Sequence, residues 1–267
     1  MAEDRGRALR NRVETLKLER TICTTVMAPQ DYQLLLVEAP DVPPGELRAA
    51  VHWRIKDLIG FHIDDAVIDV FEIPGQNRPG QSRMMYAVAT RSKTVRERAE
   101  LIAESSMQLQ IIDIPEMCLR NVAALTEEDV QGVALLYFTP TNGFITLTRQ
   151  HTLYLARKLD IGSDSLAEAQ RSGRGTALLD SVVLEIQRSL DYYDSHFSQP
   201  PISGLLLAPS ETPLPFLKPH LSQNLAVPVK NLELGKLLRS HDHADELVES
   251  RCLTAVGAAL REESVAL

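Results

Sequence analysis

The sequence predicts an α/β protein, and three features carry that expectation. Strand-like and helix-like stretches alternate from Asp31 to Ile114, with turn residues between them. A three-stranded meander then runs through Val133–Phe138, Phe144–Thr148 and Thr152–Lys158. After it comes the strongest helical pattern in the chain, Thr176–Phe197, where Leu179, Val182, Val183, Ile186, Leu190, Tyr193 and Phe197 recur in steps of three and four. Each of these side chains contributes about 1.5–3 kcal/mol when fully buried.

The first element is a helix over Arg7–Leu18, with Leu9, Val13 and Leu16 on one face, and the β-branched stretch TICTTVM follows as a strand. DYQLLLVE (Asp31–Glu38) reads as a strand. Pro43-Pro44-Gly45-Glu46 opens a helix that runs to Ile59, since proline is tolerated near a helix start. Leu47, Val51, Arg54, Ile55, Leu58 and Ile59 recur on one side of it. VIDVFEI (Val67–Ile73) and MMYAVAT (Met84–Thr90) are strands flanking a Pro/Gly/Asn-rich turn, Pro74–Ser82. A helix over Lys93–Ser106, with Val95, Ala99, Ile102 and Ala103 inward, and the strand QLQIIDI (Gln108–Ile114) complete a β-α-β-β-α-β order. That is the ferredoxin-like arrangement. PEMCLRNVAAL (Pro115–Leu125) starts the next helix. In the meander, Asn142-Gly143 reads as a tight hairpin turn of type I′, which needs φ > 0 at both central residues. A short helix over Ser163–Ser172 and a break at Gly173–Gly175 precede the long helix, which Pro200-Pro201 stops. A strand (Ile202–Ala208), a helix (about Leu214–Asn224), a strand (Val227–Leu234) and a final helix (about Glu249–Arg261) close the chain.

Composition narrows the function classes. The 267 residues suffice for one or two domains, and 44% apolar with 24% charged residues is ordinary for a globular protein. A net charge of −8 argues against a nucleic-acid binder and leaves no basic footprint for anionic lipid. Cys23, Cys118 and Cys252 are far apart with no CxxC spacing, so a reduced, cytosolic protein with thiols acting as small apolar side chains is expected. No stretch approaches the roughly 20 apolar residues of a membrane span, and the polar start MAEDRGRALRNRVETLK is no secretory signal. Any membrane role is therefore expected to come through a partner.

Four segments carry a family resemblance: VEAPDVPPGELRAAVHWRIKDLIGFHIDDAVIDVFEIPGQ, IIDIPEMCLRNVAAL, LEIQRSLDYYDSH and LTAVGAALR. In this order, from about Thr21 to Arg261, they resemble the MshI branch of the PilM-like proteins. These are components of type IV pilus machinery, here that of the mannose-sensitive haemagglutinin (MSHA) pilus. The resemblance implies an actin-like fold: two ribonuclease-H-like α/β lobes closing over ATP and magnesium, with a ferredoxin-like subdomain inserted in the first. It also implies a partner, the cytoplasmic N-terminal tail of a PilN-like inner-membrane protein, held in a groove beside the inserted subdomain.

The nucleotide loops of that family depart here in three places. The second phosphate loop of PilM-like chains resembles D-I-G-x-x-x-T. Laid on this chain, its aspartate falls on Tyr137 and its glycine on Thr139, and the next residue, Pro140, has no N–H to donate. The adenosine loop resembles G-G-G, and its place reads Pro209-Ser210-Glu211. The hairpin of the first phosphate loop has no counterpart in residues 1–20, which implies a first lobe lacking part of its sheet and exposing an edge. The chain is accordingly expected to have no cofactor, no catalytic residue and no metal site, as a pseudo-ATPase.

Other clusters read as structural. His241–Glu246 (HDHADE) offers metal-type donors without an organised third ligand and reads as a surface loop. His52, His62, Asp64 and Asp65 read as helix surface and turn. Ser189, Ser195, Asp191, Asp194 and His196 all lie on one helix, which sets no nucleophile–base–orienter relay. Glu185, Gln187, Arg188 and Asp191 read as surface positions of that helix, which in nucleotide-binding relatives borders the cleft.

The expected plan has a first-lobe remnant in residues 1–30, 115–132 and 245–267, the inserted subdomain in 31–114, and the second lobe in 133–244. The expected function is a non-catalytic adaptor on the cytoplasmic side of the inner-membrane pilus platform, touching the membrane only through partners; the alternative is an ATP-binding switch in the same machinery. The partner groove is expected at Leu36, Val51, Trp53, Ile55, Leu58, Ile59, Phe61, Met85 and Ala87, and a homodimer through the exposed sheet edge is a further expectation.

Overall fold

The computed structural model describes residues 2–76, 82–238 and 245–262. The chain divides into two compact units, one of Met1–Ile73, Pro79–Pro115 and Arg261–Leu267, the other of Pro74–Arg78 and Glu116–Leu260.

The first unit contains α1 (Ala2–Leu16), β1 (Ile22–Val26), β2 (Tyr32–Glu38), α2 (Leu47–Ile55), β3 (Ala66–Glu72), β4 (Met84–Arg91), α3 (Ser92–Glu104) and β5 (Gln108–Asp113). A 3-10 turn, Pro44–Glu46, leads into α2, with proline at its start where no N–H is needed. Leu47, Val51 and Ile55, spaced by four, are the buried residues of α2. They join Val37, Val70, Met85, Ala87 and Ala89 in one core. Small alanines on β4 let the helix lie close to the sheet. On the opposite face of β4, Tyr86 stacks on Phe71 with ring centroids 5.1 Å apart.

The elements follow the expected β-α-β-β-α-β order, but the sheet does not. β2, β4 and β3 form a three-stranded antiparallel sheet in the order β2-β4-β3. The strand expected to complete a four-stranded ferredoxin-like sheet, β5, pairs instead in parallel with β1. The Met27 N–H donates to the Asp113 carbonyl (2.8 Å) and the Gln108 N–H to the Thr21 carbonyl (2.9 Å) at the two ends of this pair. Hydrophobic period shows that QLQIID is a strand but not which edge it joins.

The second unit contains α4 (Pro115–Ala123, with Pro115 itself in the first unit), β6 (Val133–Phe138), β7 (Gly143–Arg149), β8 (Thr152–Leu159), α5 (Ser163–Arg171), α6 (Gly175–His196), β9 (Gly204–Leu207), α7 (Leu217–Asn224), β10 (Val229–Asn231), α8 (Leu234–Leu237) and α9 (Glu246–Ala259). Its five-stranded sheet runs β10-β9-β6-β7-β8, with β10, β9 and β6 mutually parallel. Val133, Leu135 and Tyr137 alternate along β6 onto the face covered by Leu119, Val122 and Ala123 of α4 and Leu253 of α9. α6 lies on β7 and β8 and buries Leu179, Val182, Val183, Ile186 and Tyr193.

Two expectations are corrected here. Residues 116–132 and 245–260 belong with the five-stranded sheet, not with the first-lobe segments, because the apolar sides of α4 and α9 are buried on it. The turn of type I′ is also elsewhere. Gln150 and His151, with φ of 49° and 64°, make the two-residue β7–β8 hairpin, whereas Asn142 and Gly143 have no positive φ. Buried Asp129 holds that hairpin, accepting the His151 N–H at 2.7 Å. Asn142 instead ends a four-residue β6–β7 loop, with Gly143 already paired to Phe138 in the ladder.

α4 and α9 cross with almost no space between them. A Cβ on Gly257 would stand 2.2 Å from the Cys118 carbonyl oxygen, and Asn121 Nδ2 donates to the Gly257 carbonyl at 2.8 Å. Gly257→Leu therefore forces backbone apart, and urea denaturation is expected to show a loss at or above the roughly 1–3 kcal/mol of ordinary overpacking.

Candidate functional site

The loop that the sequence marks as a phosphate cradle, residues 139–142, is closed by its own hydrogen bonds. The Thr139 N–H donates to the Asn142 carbonyl (2.8 Å) and the Asn142 N–H to Thr139 Oγ1 (3.0 Å). Pro140 has no N–H. Its carbonyl and that of Thr139 accept the Asp164 (3.2 Å) and Ser163 (2.9 Å) N–H groups at the start of α5. The fit is tight: a Cβ on Gly162 would lie 2.2 Å from the Pro140 carbonyl oxygen. Thr212 Oγ1 adds a bond to Asp164 Oδ1 at 2.8 Å. A phosphate cradle needs free N–H groups converging on one point, and this loop turns carbonyls toward α5 instead.

Tyr137, which the resemblance sets in the place of a magnesium-holding aspartate, is a core residue. Its ring stacks on Phe144, with centroids 6.2 Å apart, inside the cluster under α4 and α9. Burial, with the negative charge of Glu211 adding to it, pushes its hydroxyl pKa up to about 12. Glu211 itself is tied to Arg251 of α9 (3.1 Å).

Pro209 and Ser210 line a cavity of about 520 Å³ at the carboxyl ends of β6, β9 and β10. Ligands of open α/β sheets bind at such strand ends. Its floor includes Leu136, Phe138 and Leu232, and its charged residues are Lys218 against Glu233, Glu246 and Glu249. Ser210 Oγ is buried without a hydrogen-bond partner. Three carboxylates against one ammonium oppose a polyphosphate. Tyr137, the closed loop and this rim do not fit ATP with magnesium.

No family model and no curated protein matches this sequence. Among solved structures, a chain of the PilM–PilN type IV pilus biogenesis complex is similar at 17% identity, over 96% of this chain and 84% of that one, with a TM-score of 0.75. The cytoplasmic domain of EpsL, an inner-membrane component of the type II secretion system of Vibrio cholerae, is similar at 12% identity, over 97% of this chain and 82% of that one, with a TM-score of 0.53. The fold is actin-like.

Within this actin-like fold the residues expected in the partner groove separate into three groups. Val51, Ile55, Ile59, Met85 and Ala87 are core residues and present nothing to a ligand. Their apolar period, which suggested a binding surface, is that of a helix covering its own sheet. Leu36 and Phe61 are half-buried, and the Arg91 guanidinium lies 4.8 Å over the Phe61 ring. Trp53 and Leu58 stand out from the surface, 71% and 56% exposed. Arg54 beside Trp53 reaches Glu38 at 3.4 Å, and Arg48 reaches Asp69 at 2.8 Å.

The remaining clusters are held in local bonds. Ser189 and Ser195 hydroxyls donate back to the carbonyls of Glu185 and Asp191 on their own helix, both at 2.7 Å. Glu185 is bound by Arg157 (2.9 Å) and Arg188 (2.7 Å), and Gln187 donates to the Asn224 carbonyl (3.3 Å). His62 caps the 3-10 turn Ile63–Asp65, accepting the Asp64 N–H. Of the HDHADE stretch, residues 241–244 lie outside the described residues, and Asp245 caps α9. Among the described residues no three His, Cys, Asp or Glu side chains are grouped to hold a metal ion, and no helix is long and apolar enough to cross a membrane.

Sequence reading missed the part played by α5. Gly162-Ser163-Asp164-Ser165 is a helix-start signal, but its consequence, two N–H groups delivered onto the β6–β7 loop, depends on where β8 returns the chain.

Proposed function

We propose that this protein is a non-catalytic adaptor of an inner-membrane assembly platform, in an MSHA-type type IV pilus, that takes the cytoplasmic N-terminal tail of a PilN-like membrane protein. The observation that carries the reading is the hydrogen-bonded closure of residues 139–142, which supports a body that does not grip phosphate at this turn. The likeness in fold to a chain of the PilM–PilN complex supports the choice of partner. Short extended peptides bind through main-chain hydrogen bonds and a few apolar anchors, and the exposed Trp53 is the residue type found at such anchors.

Calorimetry with the partner's N-terminal peptide tests this. Saturable binding is expected, and Trp53→Ala is expected to weaken it tenfold or more, a change of at least about 1.4 kcal/mol. Because Trp53 is so exposed, its loss is expected to move folding stability by no more than about 0.5 kcal/mol. No retention of the peptide at high concentration would sink the proposal.

An ATP-driven switch is the competing reading, and the cavity beside Pro209 and Ser210 is what favours it. Thermal melting with and without Mg-ATP separates the two, since a ligand of the folded state raises its melting temperature. No shift is expected.

A further inference from the structure

The pair β1–β5 is an unusual object. Parallel sheets normally have several strands, and two strands alone are marginal in water. Among the described residues, neither strand has a second neighbour. Their outer edges differ. β5 carries an extra residue, Gln110, where the register shifts between Cys23 and Thr24, and such a bulge discourages further pairing. β1 has no bulge, no proline and no charged side chain in ICTTV.

Backbone direction alternates along a strand. The Thr21 carbonyl and Met27 N–H both face β5, so Cys23 and Thr25 face it too. Ile22, Thr24 and Val26 turn their N–H and carbonyl groups outward. Among the described residues nothing hydrogen-bonds to them from that side. Three exposed apolar side chains adjoin this edge in sequence: Ile22 is 62% exposed, Leu16 48% and Leu18 37%.

We propose that β1 is a self-association edge: two copies of this chain join β1 to β1 in antiparallel fashion about a two-fold axis through Thr24. The strand is complementary to itself in that register. Thr24 meets Thr24 of the partner subunit and the two exchange both main-chain bonds, while Ile22 meets Val26 of the partner subunit. Thr–Thr and apolar β-branched pairs are favourable cross-strand neighbours, and with no charge in the strand no like charges meet. The product is a four-stranded sheet, β5-β1 continued by its symmetry copy, above the size at which sheets hold independently. A foreign peptide on this edge would make only three strands and would need its own matching sequence.

Light scattering on the full chain at high micromolar concentration is expected to give twice the 29.7 kDa of one chain. Thr24→Pro removes an outward N–H while leaving the bonds to β5, and is expected to weaken the dimer tenfold or more with an unchanged melting curve. In a Thr25→Cys, Cys252→Ser variant, the new thiol comes opposite Cys23 of the partner subunit, at the non-hydrogen-bonded spacing of about 4.5 Å between Cα atoms. Mild oxidation is then expected to yield a covalent dimer, with Cys23→Ser added as the variant that forms no covalent dimer. A monomeric mass at that concentration, or a dimer that persists in a folded Thr24→Pro and does not cross-link through residues 23 and 25, would overturn the proposal. If Thr24→Pro does not fold, mass and cross-linking alone decide.

Discussion

Tyr137→Asp, which introduces the carboxylate that the family resemblance implies at this position, is expected to unfold the second unit rather than create a magnesium site. The ring fills space among Leu135, Phe144 and Leu206 on one side and α4 and α9 on the other. Removing an aromatic side chain from such a core costs about 3–5 kcal/mol. An aspartate there adds a buried carboxylate beside Glu211, whose own partner is Arg251. Urea denaturation is expected to show the loss, and calorimetry no gain in Mg-ATP binding. A folded Tyr137→Asp protein that bound Mg-ATP would show instead that one side chain had stood in the way. Tyr137→Phe is the control, keeping the ring and its packing. It also isolates a pH effect. The hydroxyl ionises near 10 in the unfolded chain and near 12 in the folded one, so between those values the unfolded state holds fewer protons. Stability from this group is intact below about pH 10 and falls as pH rises toward 12; the fall is expected to shrink in Tyr137→Phe.

Arg261→Ala is expected to be nearly as damaging, in the first unit. Arg261 Nη1 lies 2.8 Å from Asp113 Oδ1, and Asp113 is only 2% exposed. The same oxygen accepts the Ile114 N–H at 2.9 Å, and Oδ2 has no hydrogen-bond partner. Taking away the guanidinium leaves a buried carboxylate with one N–H for support, and breaking such pairs costs about 3–5 kcal/mol. A double variant, Arg261→Leu with Asp113→Asn, removes both charges and is expected to recover much of that loss. Equal loss in single and double variants would mean that packing, not charge, is what Arg261 contributes.

These two sites show what reading the chain could reach. Asp113 sits inside IIDIPEMCLRNVAAL, a segment that carries the family resemblance, but nothing in its spacing points to an arginine at position 261. Ion pairs between residues so distant leave no periodic trace. Tyr137 is on a strand that ends at the turn expected of it, because a strand and turn are local and can be read residue by residue. That its ring would be a core residue follows from alternation along VALLYF once α4 and α9 are known to lie on that face. Most of the groove residues lie in the core for the converse reason. Val51, Ile55, Met85 and Ala87 look the same in sequence whether an apolar face meets a partner or its own sheet, and here it meets its own sheet. Trp53 and Leu58 stand out from the surface, and Leu36 and Phe61 are half-buried.

The sequence by itself determined most strands and helices, the stop after α6 at Pro200-Pro201, the proline that leaves residue 140 without an N–H, and the absence of charge or proline that leaves β1 able to pair. All of these depend on neighbours within a few residues, where backbone geometry and side-chain period act directly. The tertiary structure alone decided that β5 joins β1, that α4 and α9 lie on the five-stranded sheet, that α5 donates its first N–H groups to residues 139 and 140, and that the positive-φ turn is Gln150-His151. Each of these is a choice among edges, faces or turns of nearly equal local fitness, settled by which burial the rest of the chain leaves available.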